Sequence, residues 1–319
     1  MRRIAVTLLA LCAAICYCAC SWVDDDQSDC PTCPTGTWLR LAYTLNMLDV
    51  DAASTQVTDA SLFVLDAEGN LVERTDVDSL TLHGNDCMVR VPSLPEGNYT
   101  FLVWAGVEDS LYRYTPSSLT LLRDDAGEQS GQLPSLFHGR LDDVYVCDGY
   151  QVLTVPLTKD TNRLSCILQC LSTDTLSADD FRLELTSRNG CLDHRNQPVD
   201  TVTTCYLPFV QEGASVDGVQ VVKAGMNTLR LLEDDDTRFR LTYLPGDYTL
   251  LDISLTSYLL LLRTMEAAAM EAQEYLDRQD TYSLIFFLTS TDDPHKPYIC
   301  ARIQVNGWVI RINDADLKK

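Results

Sequence analysis

The sequence predicts an all-β chain of two tandem β-sandwiches, with one helix in the C-terminal half. Three observations carry this. Short segments of alternating apolar and polar residues recur between clusters of Gly, Pro, Asn and Asp, the pattern of half-buried strands joined by turns. One kind of turn appears in both halves, as Leu94-Pro-Glu-Gly-Asn-Tyr-Thr100 and Leu244-Pro-Gly-Asp-Tyr-Thr249, each ahead of a strong strand. Only one stretch has a sustained helical composition.

The chain opens on an export signal. Arg2 and Arg3 precede an apolar run over residues 4–15. That run is shorter than the roughly 20 residues a spanning helix needs and suits the core of a secretory signal. It ends in Cys16-Tyr-Cys-Ala-Cys20, where only Cys20 follows a small residue, Ala19. Residues 1–19 read as a lipoprotein signal and Cys20 as the acylated N-terminus. Several acyl chains on one cysteine give stable anchoring, because each buried methylene contributes about 0.8 kcal/mol. Residues 20–36 read as the acylated tether, with Asp24, Asp25 and Asp26 beside the anchor. Within it, Cys30-Pro-Thr-Cys33 has the spacing of a redox motif but lacks a βαβ unit around it. Its prolines favour an extended tether or a local disulfide.

The first sandwich is expected over residues 37–158. Leu39, Leu41, Tyr43 and Leu45 share a face. Residues 60–65 form a second apolar run, and Asp66-Ala-Glu-Gly-Asn70 turns it back into Leu71 and Val72. Residues 87–91 alternate, and residues 99–104 are the strongest strand. Residues 107–150 look loose and acidic. Residues 152–157 complete the half, and the polar stretch 158–162 is the candidate boundary.

The second sandwich is expected over residues 159–319. Strands are predicted at 163–171, 181–185, 219–222, 229–232, 239–244, 248–255 and 284–288. Cys166 and Cys170 fall on one of them, about 13 Å apart, too far for a disulfide, and read as buried apolar fillers. The helix is predicted over residues 259–278, with Leu259, Leu262, Met265 and Ala269 on one stripe. Residues 299–312 alternate in two phases that change at Asn306-Gly307, as a bulge or tight turn would.

Composition excludes several functions. The 319 residues carry a net charge of −22, and removing residues 1–19 takes away Arg2 and Arg3 and leaves −24. Such a chain is repelled by nucleic acid, and no basic patch with interleaved aromatics offsets this. No second apolar segment reaches spanning length, so the lipid is the expected membrane attachment. Nine cysteines lie beyond Cys20; an exported location permits disulfides, and an odd number leaves a thiol over. His83, His138, His194 and His295 stand apart without zinc spacing. Nucleophile elbow, phosphate loop and dinucleotide fingerprint are missing. Glu233-Asp-Asp-Asp236 lacks the alternating spacing of a calcium loop and reads as a solvated turn. The chain is therefore not expected to be an enzyme, nor to use a metal or cofactor.

An ordered series of motifs resembles the FimB-type fimbrial anchors, the fimbrillin-associated anchor lipoproteins of Bacteroidetes. After the lipidated cysteine and its aspartates come Leu39-Arg-Leu-Ala-Tyr-Thr-Leu-Asn-Met47 and Leu62-Phe-Val-Leu-Asp-Ala-Glu-Gly69. Leu94-Pro-Glu-Gly-Asn-Tyr-Thr-Phe-Leu-Val-Trp-Ala-Gly106 and Leu136-Phe-His-Gly139 follow. The series closes with Gln273-Glu-Tyr-Leu-Asp-Arg278, Phe286-Phe-Leu288 and Ile303-Gln-Val-Asn-Gly-Trp-Val-Ile-Arg311. The extra cysteines Cys33, Cys166 and Cys170 depart from the family. The resemblance implies transthyretin-like sandwiches and, through Asp24, Asp25 and Asp26, export to the outer face of the outer membrane. It implies a minor subunit that holds a fimbria base and limits fibre length, with the major fimbrillin or other fimbrial subunits as partners. Sandwich edges suit joining by strand addition. Trp104, Tyr275 and Trp308 are expected in the core or between domains. A tip adhesin of the same architecture and a surface glycan-binding lipoprotein are the alternatives.

Overall fold

The computed structural model describes residues 35–311 apart from 85, 173, 200–202 and 217. Cys20, Asp24, Asp25, Asp26, Cys30 and Cys33 lie outside the described residues. In the first half the chain forms β1 (Gly36–Ala42), α1 (Ala53–Gln56), β2 (Ala60–Leu65), β3 (Leu71–Val77), α2 (Ser79–Gly84), β4 (Met88–Arg90) and β5 (Gly97–Ala105). It continues through β6 (Tyr112–Tyr114), β7 (Ser118–Leu121), β8 (Glu128–Gln129), β9 (Phe137–Val146) and β10 (Tyr150–Lys159). The second half holds β11 (Thr161–Cys170), β12 (Phe181–Ser187), β13 (Cys191–Asp193), β14 (Thr204–Tyr206), β15 (Val210–Val216) and β16 (Val219–Leu229). After β17 (Arg238–Tyr243) and β18 (Tyr248–Ser254) come α3 (Leu255–Glu266), α4 (Ala272–Arg278), β19 (Thr281–Ser290), β20 (Tyr298–Val305) and β21 (Trp308–Arg311).

Seven strands of the first half run in the order β3-β2-β5-β9-β10-β1-β4. The sheet folds over at β10, which pairs in parallel with β1 along residues 150–156 and antiparallel with β9 at its far end. Leu39, Leu41, Val89 and Val155 of one layer thereby meet Leu62, Val64, Phe101 and Val103 of the other in one buried cluster. The pleat sends alternate residues of β2 and β5 to the opposite face. There Phe63, Leu102 and Trp104 meet Tyr112, Leu119 and Leu121 of a third layer, β13-β7-β6.

That second cluster runs on into the other half. A six-stranded sheet, β15-β16-β11-β19-β20-β21, faces a five-stranded one, β18-β17-β12-β14-β8. Phe239 and Phe286 stack between them with ring centroids 4.9 Å apart. Burying side chains of this size contributes roughly 1.5–3 kcal/mol each. The halves also trade strands. β8, from the first half, extends the five-stranded sheet beside β14, and β13, from the second, extends the first half's small sheet beside β7.

Within the stretch 158–162, residues Asp160, Thr161 and Asn162 are buried, with Asp160 alone between β10 and β11. The Asp160 amide donates to Leu136 O at 2.7 Å, and its carboxylate accepts from Asn196 Nδ2 at 2.7 Å. Beside it Arg230 makes a two-pronged ion pair with Asp277, both contacts 2.7 Å, and donates to Asn196 O at 2.7 Å. All four side chains are buried. For Arg230, pairing and hydrogen bonding to Asp277 outweigh the desolvation that a buried charge otherwise suffers.

Several expectations need correction. The predicted helix over 259–278 starts earlier and is two helices, α3 and α4, with a turn between them. The run of alanines and glutamates favours a helix locally, but the two pieces bury different faces: Leu255, Leu259 and Leu262 in α3, Tyr275, Leu276 and Asp277 in α4. Ala269 falls in the turn and is exposed. The short helices α1 and α2 are additional. The separate strands at 219–222 and 229–232 are a single strand, β16, followed by irregular chain. The loose region 107–150 contains β9, a ten-residue strand in the middle of the sheet. Its alternation breaks where the β5–β9 register shifts and Asp143 takes φ 51°. Trp104 and Tyr275 are fully buried as expected, whereas Trp308 stands on edge strand β21, 42% exposed. Asn306 and Gly307, with φ 46° and 90°, make the tight turn between β20 and β21, the primed geometry that suits a two-residue hairpin.

Two stability measurements follow from this packing. Gly106 has φ +72°, and a Cβ there would lie 2.0 Å from Ser135 O. Gly106→Ala should therefore cost roughly 2–4 kcal/mol in urea unfolding. The Asp160 carboxyl is pushed up to about 7 by burial, against the opposing pull of Arg230. The folded state thus holds this proton more tightly than the unfolded chain, whose carboxyl titrates near 4. Its contribution to stability declines as pH rises from about 4 to about 7 and is level above that. Asp160→Asn retains an oxygen to accept from Asn196 and removes the decline. Relative to the parent, the variant should be near neutral at pH ~4.5 and more stable at pH ~8 by about 1–4 kcal/mol.

Candidate functional site

Because the seven-stranded sheet folds over at β10, its two terminal strands come back toward each other. β3 is bonded only to β2, and β4 only to β1, among the described residues. Both line one open groove of about 660 Å³. Arg74, Thr75 and Val77 form the β3 wall, Met88 and Arg90 the β4 wall, and Trp38 of β1 extends the latter. An edge strand presents main-chain donors and acceptors without sheet partners. The Arg74 amide on β3 donates to the Glu73 carboxylate at 3.2 Å.

The β3 wall is held by a polar cluster. Arg74 Nε donates to Asp76 at 3.0 Å and its Nη2 to the Tyr114 hydroxyl at 2.8 Å. Its guanidinium lies 5.3 Å from the ring centres of both Phe63 and Tyr114. Ser61 Oγ donates to Asp76 at 2.6 Å. Partial burial raises the Asp76 carboxyl, and hydrogen bonds from Ser61 and Arg74 outweigh it, so the group stays below its ordinary value. With Asp59, Asp78 and Asp109, four carboxylates face Arg74 and Arg90 around the groove. The field favours an extended segment that is neutral or basic.

The other edges are less open. At β15, Gln211 Nε2 donates to Ala178 O and Phe181 O, both at 2.7 Å, and ties the edge to the neighbouring turn. β21 leaves Trp308 and Val309 exposed but is four residues long. The segment from 299 onward completes its own sheet through β20, whose Cys300, Ile303 and Val305 are buried.

Polar residues that invite a catalytic or metal reading have structural partners. Asp235 is buried, not part of a solvated turn as expected. It accepts from Ser187 Oγ at 2.6 Å, Thr237 Oγ1 at 3.0 Å and Arg188 Nε at 3.1 Å. His138 packs on Trp104 with ring centres 4.6 Å apart, and burial pushes it down to about 4, so the imidazole is neutral at pH 7. Cys166 and Cys170 are buried on one face of β11, as fillers. No group of three or more His, Cys, Asp or Glu with the geometry to hold a metal ion occurs among the described residues. Nor is any helix among them long and apolar enough to cross a membrane. Sequence reasoning missed the groove, whose walls are eleven or more residues apart in the chain and meet only through the fold-over at β10.

Interlocked sandwiches that present unpaired edges beside a groove define an assembly or adhesion module. The family of fimbrillin-A-associated anchor proteins Mfa1 and Mfa2 matches residues 27–314, and the chain belongs to it. Two solved structures from Bacteroides thetaiotaomicron resemble it along nearly their whole length. One is a candidate adhesin, 28% identical over 89% of this chain and 100% of that one, with a TM-score of 0.76. The other is a candidate polysaccharide-binding protein, 29% identical over 88% of this chain and 99% of that one, with a TM-score of 0.75. The fimbrial anchor protein Mfa2 of Porphyromonas gingivalis shares the fold, at 17% identity over 88% of this chain and 100% of that one, with a TM-score of 0.69. A search of curated proteins returned no match.

Proposed function

We propose that this chain is a minor fimbrial subunit that anchors a fimbria to the outer membrane and limits fibre length. In this reading residues 1–19 are removed as the signal, Cys20 carries the lipid, and residues 20–36 are the tether. Asp24, Asp25 and Asp26 direct the protein to the outer face, and the sandwiches are residues 37–158 and 159–319. The fibre joins by strand addition. The observation that carries this last step is the groove with β3 on one wall and β4 on the other. A strand entering it would meet two edges instead of one. Main-chain hydrogen bonds supply adhesion, and alternate side chains in the groove supply specificity.

Surface glycan binding is a second reading, favoured by the description of one 29%-identical relative. The half-buried aromatic cluster of Tyr243, Tyr248 and Tyr298 would be its natural place. Its rings meet at 52° and 72°, which gives no flat face for a sugar. A tip adhesin of the same architecture would use the same edges and differ in its position along the fibre.

Thr81, exposed on α2, also lines the groove. Thr81→Trp should leave the urea midpoint unchanged and weaken binding to purified fimbrillin at least roughly tenfold, about 1.4 kcal/mol. Unaltered binding in a folded variant would contradict strand entry at this groove.

A further inference from the structure

The two walls of the groove differ in charge. Its carboxylates are Asp76 of β3, Asp59 and Asp78 directly beside β2 and β3, and Asp109 in the loop after β5. None of them comes from β1 or β4. The β4 wall carries Arg90 instead. The two cations are also held differently. Arg74 is committed to Asp76, Tyr114 and Phe63. The Arg90 guanidinium is exposed and makes no hydrogen bond, ion pair or ring contact with any described residue.

The main chain of β4 fixes where a further strand can bond. The Leu41 amide donates to Cys87 O at 3.0 Å and the Val91 amide to Thr37 O at 2.9 Å, while Leu39 stands opposite Val89. Alternation along an antiparallel ladder therefore turns the N–H and C=O of Met88 and Arg90 away from β1, toward the open side. The edge is bounded at both ends. Asp86 and Cys87 take φ 50° and 58°, outside the extended range, and Pro92 has no N–H to donate. Along this edge only Met88 and Arg90 offer a donor and an acceptor together. Val89 is buried and Arg90 exposed, so the Arg90 side chain leaves the outer face of the sheet beside its cross-strand neighbour Trp38. The residue of an added strand that pairs with Arg90 would leave the same face on the other side, with Cβ atoms about 5 Å apart. A guanidinium and a carboxylate on such neighbours can meet through two parallel hydrogen bonds.

We propose that Arg90 selects the entering strand by pairing with an aspartate or glutamate side chain on the residue opposite it. This rests on the strand-entry reading and adds to it a register and a residue class. The partner is an extended segment of a fimbrial subunit. Its carboxylate belongs to a side chain and not to a chain end, because main-chain bonding sites lie on both sides of Arg90, at Met88 and at Pro92 O. Toward β3, where carboxylates line the groove, the same segment is neutral or basic. A second copy of this chain is a poorer occupant, since two chains of net charge −22 repel each other.

The test measures binding of purified major fimbrillin to the full chain as the parent, Arg90→Gln, Arg90→Lys and Arg90→Glu, at low and high salt, with urea unfolding alongside. The side chain is exposed and unpartnered, so every variant should unfold at the parent's urea midpoint. Arg90→Gln should weaken binding by up to about fivefold and Arg90→Glu, which sets like charges opposite each other, by about tenfold or more. Arg90→Lys keeps the charge but loses the planar fork and should fall between the parent and Arg90→Gln. The differences should shrink at high salt, which screens an exposed pair. Folded Arg90→Gln and Arg90→Glu that bind like the parent, while Thr81→Trp still weakens binding, would overturn the proposal and leave strand entry at the groove standing. A parent that does not bind fimbrillin, or a Thr81→Trp variant that binds unaltered, would remove strand entry and the role of Arg90 together. Self-association of the purified chain that Arg90→Glu abolishes would overturn the choice of partner.

Discussion

The seven-stranded and the six-stranded sheets are joined by one extended run, β10–Asp160–β11, which crosses from one half to the other with a single residue between strands. β10 joins the two layers of the first half, and β11 is the centre of the six-stranded sheet, bonded to β16 and β19. Asp160 cannot be a loose hinge. Its amide and carboxylate are both bonded within the protein, and the Arg230–Asp277 pair closes the space beside it. A buried ion pair is often no better than a hydrophobic replacement for stability. Here it fixes α4 against the chain after β16 and so sets how the second half meets the run. The traded strands β8 and β13 add two further connections between halves.

That construction suits a protein under tension. Under the proposed anchoring role, load entering ahead of β1 would pass to β1, which is bonded on both sides, and from β1 to β10 and through the junction to β11. The same fold-over that lets β10 serve two layers leaves β3 and β4 as open edges along one groove. Stiffness and a place for a further strand are thus two results of one topology. Charge limits unwanted pairing. β3 carries Glu73, Arg74 and Asp76, and charged edge residues discourage indiscriminate strand addition. A strand added here, as proposed, would have to match the groove's charges as well as its main chain.

Much of the fold was legible in the sequence, because alternation and turn chemistry are local. Leu39, Leu41 and Tyr43 are buried on one face as their spacing implies, and Asp66 and Asn70 close the predicted hairpin by main-chain and side-chain bonds. A Cβ at Gly106, which ends a strand motif readable in the sequence, would lie 2.0 Å from Ser135 O, the tightest approach at any described glycine. What was hidden depends on distant partners. β9 loses its alternation at a bulge. The alanine-rich helix breaks because α3 and α4 bury separate faces. Trp308 has the sequence of a core strand, yet among the described residues β21 is the last strand of its sheet. Asp235 looked solvated because its partners Ser187 and Arg188 lie 48 and 47 residues away. The edges of the groove are recognisable as strands, but only the sheet order makes them terminal.

In the proposed role a lipid-held base retains the fibre. Electron microscopy of cells whose only copy of this chain carries Cys20→Ala tests it most directly. Loss of the anchor should leave fimbriae released into the medium, or abnormally long ones. Fimbriae that remain attached and normal in length would contradict it and favour a subunit at the distal tip.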